Sequence, residues 1–76
     1  MTNKPELKEI EKAVLNMVIE GHTNVFIGEE IGYSEETIKL IIKKLFKHFN
    51  VKKRVELVRE AFKQQIVQIK EVKNEN

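Results

Sequence analysis

Cysteine is absent from the chain, which excludes a disulfide framework and a thiolate metal site and fits a reducing, cytoplasmic setting. Two histidines, His22 and His48, are too few and too far apart to suggest zinc, so no metal or cofactor is expected. Long apolar runs are missing as well. The longest, such as Met17-Val18-Ile19 and Leu40-Ile41-Ile42, are three residues, and the N-terminus has no basic-then-apolar leader. Neither a membrane span nor a secretion signal is expected, and no membrane partner. Only one proline, three glycines and no strand-like alternation leave little room for a sheet. With 76 residues there is material for one small domain and one modest core. Its stability must therefore come from tight helix packing or from a partner chain.

What the chain does have is charge, unevenly placed. The net charge is only +2, yet Met1 to Tyr33 carries three basic and six acidic residues, whereas Ser34 to Arg54 carries seven basic and two acidic. Val55 to Asn76 balances at four of each. A basic block of that density within a folded segment is the electrostatic footprint of a phosphate-binding face, the bland alternative being a solvated helix surface.

Punctuation divides the chain into four helices, over about residues 4–20, 24–31, 35–49 and 53–72. Asn3 reads as the first N-cap, with Pro5 tolerated in the first turn and Glu6 three residues on. Leu7, Ile10, Val14, Met17 and Val18 recur at helical steps and mark one buried face, and Gly21 suits a left-handed C′ position. Thr23 caps a short second helix that turns Ile27 and Ile31 inward and ends at Gly32. Ser34 caps the third, with Glu35 and Glu36 at the positive end of its dipole. There Ile38, Ile41, Ile42, Leu45 and Phe49 share one face, while Lys39, Lys43 and Lys47 recur every four residues on another, beside Leu40 and Lys44. Asn50 is expected to close it in a left-handed cap. The last helix carries Val55, Val58, Phe62, Gln65, Ile69 and Val72 at three- and four-residue spacing, and Lys73 to Asn76 reads as a frayed tail. The expectation is a compact all-α, four-helix domain containing a helix-turn-helix, with an elongated C-terminal helix.

From Leu7 to about Ala61 these residues resemble the LuxR/GerE-type helix-turn-helix domain, the four-helix DNA-binding unit of many bacterial response regulators and quorum sensors. The family's pattern runs roughly L-T-x-R-E-x-E-V-L, then G-x-S-N-K-E-I-A, then S-x-x-T-V-K-x-H, then K-L-x-V-x-x-R-x-E-A. It is met in register by Leu7, Glu11, Val14, Leu15, Gly21, Thr23 for Ser, Asn24 and Ile27, and by Ile31 in place of Leu. Ser34, Thr37, Ile38 for Val, Lys39, Phe49 for Leu, Val51, Arg54 and Glu56 continue it.

The resemblance implies a bacterial, sequence-specific transcriptional regulator, acting on double-stranded DNA in the cytoplasm by binding and not by catalysis. The second helix would cross the backbone and the third would enter the major groove. Lys39, Leu40 and Lys43 match the family's groove-facing positions, and Thr23 and Asn24 match positions close to phosphate. With Ser34, Thr37, Lys44 and Lys47 they form the expected DNA-binding set. A lysine can donate to guanine or phosphate and Leu40 can touch a thymine methyl, while Lys44, Lys47, Lys52 and Lys53 are better suited to holding the backbone. Arg54 is open to two readings, a phosphate contact or a tie between helices through a carboxylate such as Glu11. The family's fourth helix commonly forms the dimer contact, so Val58, Phe62, Gln65, Ile66 and Ile69 are expected to pair two copies, the alternative being that they fold back on their own core.

Several residues depart from the pattern. Lys8, Ile10 and Ala13 replace the usual threonine, arginine and glutamate of the first helix, and Val25-Phe26 stands where the family has Lys-Glu. Ile41 stands where histidine is common. Apolar residues at a DNA edge suit a protein surface, so a rival reading is an adaptor or inhibitor docking on a transcription factor or polymerase subunit through Val25, Phe26, Leu40 and the last helix. Against it, Phe26 could turn inward and Ile41 is in phase with the core. Binding that weakens steeply with salt would favour the DNA reading, and salt-resistant, Phe26-dependent binding the rival. No nucleophile-base constellation or Gly-rich phosphate loop points to an enzyme. His22 and His48 read as a loop polar residue and a backbone contact. Nothing in these residues senses a signal, so control by abundance is the simplest expectation.

Overall fold

The structure, a computed structural model, describes residues 6–64, and within them the chain forms α1 (Glu9–Ile19), α2 (Asn24–Ile31), α3 (Glu35–Phe49) and α4 (Arg54–Lys63), with no strand. The bounds of α2 and α3 are those read from the sequence, because both ends of each are marked by side chains or glycine with one conformational use. Thr23 Oγ1 accepts the Phe26 N–H at 3.1 Å and Ser34 Oγ accepts the Thr37 N–H at 3.1 Å, each satisfying a donor at the open end of a helix. At the other ends Gly32 and Asn50 adopt left-handed conformations, with φ of 92° and 57°. Gly21, at φ 91°, closes α1 in the same way: its N–H reaches the Val18 carbonyl and the His22 N–H reaches that of Met17.

The start of α1 differs from expectation. Glu6, Leu7 and Lys8 lie outside the helix, which begins at Glu9 and not near residue 4. Lys8 holds an extended conformation (φ −74°, ψ 161°) as the N-cap, and the Glu11 carboxylate accepts its backbone N–H at 2.9 Å. That return bond from the third helical residue is half of a capping box, and it fixes the boundary where no Ser, Thr, Asn or Asp is present to do so. Asn3 and Pro5 lie outside the described residues. α4 begins in the same way: Glu56 Oε1 accepts the N–H groups of Lys52 and Lys53 at 3.0 and 3.1 Å. The continuation expected to about residue 72, with Ile66, Ile69 and Val72, lies outside the described residues, as does the tail.

Packing is centred on α3, which touches each of the other helices, whereas the backbones of α2 and α4 do not approach one another. Ile38, Ile41, Ile42, Leu45 and Phe49 are all buried, as their spacing predicts, against Val14, Leu15 and Val18 of α1, Ile27 of α2, and Leu57 and Ala61 of α4. On α4 the apolar stripe is split. Leu57 and Ala61, four residues apart, fill the core, while Val55 and Phe62 face outward and Val58 sits between, packed on the core's edge. The spacing read from the sequence, Val55, Val58 and Phe62, follows the outer of two apolar faces, whereas the core is filled by Leu57 and Ala61, which that spacing does not include.

Candidate nucleic-acid interface

The turn between α2 and α3 consists of Gly32, Tyr33 and Ser34 and is drawn tightly against α2. The N–H groups of Gly32 and Tyr33 both donate to the Gly28 carbonyl, at 2.7 and 2.9 Å. A side chain at residue 28 would collide with the Tyr33 carbonyl oxygen, so glycine permits the close approach that sets α3 across α2. Gly28 is absent from the sequence expectations, although it sits in mid-helix where glycine is ordinarily unfavourable. That incongruity was the available signal.

With α3 anchored on one side by five buried side chains, its other side is left to solvent. Lys39, Lys43, Lys44 and Lys47 are exposed, and none of their ammonium groups is ion-paired among the described residues. Leu40 stands among them, 60 % exposed. A shallow groove on one side of it is lined by Asn24, Lys39, Leu40, Lys43, Phe46 and Arg54. A second, on the other side, is lined by Thr37, Leu40, Lys43, Lys44 and Lys47. Leu40 and Lys43 thus form a ridge with cations along both flanks. Such a surface combines lysine donors with apolar contacts from Leu40, Phe46 and the edges of Ile41 and Ile42, and it can bind an acceptor-rich polyanion with no acid–base pair at hand.

The expected polar residues at the helix starts are already engaged. Thr23 and Ser34 are caps, and the Ser34 hydroxyl donates to Thr37 Oγ1 at 3.0 Å. Asn24 is held by Arg54, whose guanidinium donates to Asn24 Oδ1 and to the His22 carbonyl oxygen, both at 2.9 Å and partly buried. The tie between helices is therefore present, but the anticipated partner Glu11 is not, because Glu11 is turned to its own helix start. Arg54 links the beginning of α4 to the beginning of α2, across which the backbones make no contact. Occupation of Oδ1 directs the Asn24 amide nitrogen, a donor, away from Arg54.

Phe26 does not turn inward. It is 39 % exposed and its ring lies against His22, centroids 4.5 Å apart and planes inclined by 31°. The His22 Nε2 is 3.3 Å from Glu20 Oε1, so this residue is more than a polar loop filler: its ring joins Glu20 and Phe26 across the α1–α2 turn, and its carbonyl accepts from Arg54 of α4. Ile41 is buried, as its phase requires. His48 packs edge-on to Phe49 at 4.8 Å.

Of the residues expected to pair two copies, Val58 rests partly on its own core and Phe62 is 38 % exposed, near Val55 on the outer face of α4. Gln65, Ile66 and Ile69 lie outside the described residues. No helix among those described is long and apolar enough to cross a membrane.

The family model for GerE, described as bacterial regulatory proteins of the luxR family, matches residues 6–61. No curated protein sequence matches the chain.

Proposed function

The chain belongs to the luxR family of bacterial regulatory proteins, whose domain spans residues 6–61, and from that premise we propose that it is a sequence-specific DNA-binding transcriptional regulator of the bacterial cytoplasm. α3 enters the major groove. Lys39, Leu40 and Lys43 meet base edges, Lys44 and Lys47 meet phosphates, and the starts of α2 and α3, with Thr23, Asn24, Ser34 and Thr37, lie along the backbone. Two copies pair through the outer face of α4, with Val55 in its first turn, Phe62 in its last described turn and Val58 beside that face, so that a two-fold protein meets a two-fold site.

The observation that carries this reading is the exposed ridge of Leu40 and Lys43 flanked by Lys39, Lys44 and Lys47, which make no ion pair among the described residues. Four ammonium groups on one side of a well-anchored helix repel one another in the absence of a partner, and neutralising phosphates relieves that repulsion while releasing counterions. The test is selection of duplexes from a random-sequence pool at low and moderate salt, beside the Lys39→Ala/Lys43→Ala variant. A two-fold-symmetric motif that the variant does not enrich is expected. Absence of binding at low salt would overturn the reading and transfer the role to a protein contact through exposed Val25, Phe26 and Leu40.

A further inference from the structure

One residue on the cationic face of α3 has the wrong charge for a phosphate contact. Glu36 is exposed in the first turn, and seven and eleven residues later come Lys43 and Lys47, which at 3.6 residues per turn places all three within roughly 20° of one line along the helix. Leu40, four residues on, is its neighbour. The other polar groups of that turn are otherwise directed: Ser34 and Thr37 bond each other in the cap, and Glu35 borders a separate hollow with Gly21, Thr23 and Arg54. Glu36 makes no ion pair or side-chain hydrogen bond among the described residues. A helix dipole favours acid at either position, which accounts for an acidic first turn but not for a carboxylate in line with the lysines. A carboxylate in line with the lysines weakens every sequence-independent attraction to DNA.

Resting on the DNA-binding reading above, we infer that Glu36 is a specificity-determining residue, whose carboxylate accepts a hydrogen bond from the N4 amino group of a cytosine in the major groove. An ionised carboxylate only accepts hydrogen bonds, so it is repelled by the acceptors guanine and thymine present there. Adenine offers its N6 amino group beside the N7 acceptor, whereas cytosine offers N4 with no acceptor of its own on that edge. The N-terminal residues of a recognition helix are those that reach base edges, and Glu36 is in that turn. Its negative charge makes the wrong site worse as well as the right site better, which is how a helix this rich in lysine avoids binding all sequences alike.

The test is the same duplex selection carried out with the wild type, Glu36→Ala and Glu36→Gln, with helicity measured by circular dichroism. The wild-type motif is expected to hold a cytosine in each half-site at about tenfold preference, which Glu36→Ala reduces to near parity, while the bases governed by Lys39 and Lys43 stay the same. Glu36→Gln, which keeps the length of the side chain and the fold, is expected to move that position towards adenine, the base a glutamine amide pairs with in bidentate fashion. A purely structural role would lower helicity or thermal stability and leave the base preference alone. An unchanged motif in a folded Glu36→Gln or Glu36→Ala variant overturns the inference and leaves the DNA-binding reading standing. Wild type that enriches no duplex overturns both.

Discussion

Arg54 shows how one side chain can do the work of a helix–helix contact. Its forked donors reach Asn24 and the His22 carbonyl across a gap the backbones do not close, and the same group borders the groove beside Lys39 and Lys43. Hydrogen bonds from a charged donor in a partly buried site contribute about 1.5–3 kcal/mol, so Arg54→Ala is expected to lower unfolding stability by roughly that amount in urea titration. Arg54→Lys recovers only part of it, because an ammonium cannot span two acceptors in a fixed plane. Freed from Arg54, the Asn24 amide loses its orientation, and duplex affinity falls in the same variant. The arginine itself was readable from the sequence as a tie. Its partner was not, because pairing it with Glu11 assumed a free carboxylate, and Glu11 is occupied by the Lys8 N–H only once α1 starts at Glu9.

Helix starts decide the shape of each element, and two of the four rest on a glutamate at the third helical position with lysine at the N-cap. In α4 the Lys52 N–H, and after it the Lys53 N–H and the charges of Lys53 and Arg59, hold the Glu56 carboxyl below the usual carboxylate range, outweighing the opposing effect of desolvation. Because the folded pKa lies below the unfolded one, the ionised group stabilises the fold at neutral pH. That contribution is complete above the ordinary glutamate range and is lost as pH falls through the depressed folded value. Glu56→Gln is therefore expected to melt below the wild type at neutral pH, with the gap closing on acidification, in thermal scans across pH. On α3 the spacing of buried isoleucines and exposed lysines separates the core face from the solvent face, and on the proposed DNA-binding reading a salt dependence is expected of the latter. Lys44→Ala and Lys47→Ala are each expected to reduce the slope of log affinity against log salt by about 0.9, one phosphate's counterion release, with little change in the selected motif.

For the whole molecule the limiting fact is the size of the core. Eleven hydrophobic residues are buried among those described, and Leu45 is fully enclosed where α3 meets its neighbours. A domain of this length has a stability on the order of 4–11 kcal/mol, and Leu45→Ala removes about 2–5 of it, so that variant is expected to melt far below the wild type by circular dichroism. A molecule with so small a margin gains from covering Val55 and Phe62, which are exposed on the outer face of α4. Val55→Glu/Phe62→Glu is expected to leave helicity intact and to sediment as a monomer at concentrations where the wild type pairs. Affinity for a single half-site should persist in it, while affinity for the full two-fold site falls.

The sequence by itself determined where α2 and α3 begin and end, because Thr23, Gly32, Ser34 and Asn50 each satisfy a local backbone requirement that needs no distant partner. It also determined the two faces of α3, since a helix with isoleucines on one side and lysines on the other has one way to meet water. Only the tertiary structure decided which apolar face of α4 is the core, that Phe26 lies outside on His22, that Gly28 must lack a side chain, and what Arg54 holds. Those depend on residues brought together from separate helices, and spacing along one helix carries no record of what the next one presents to it.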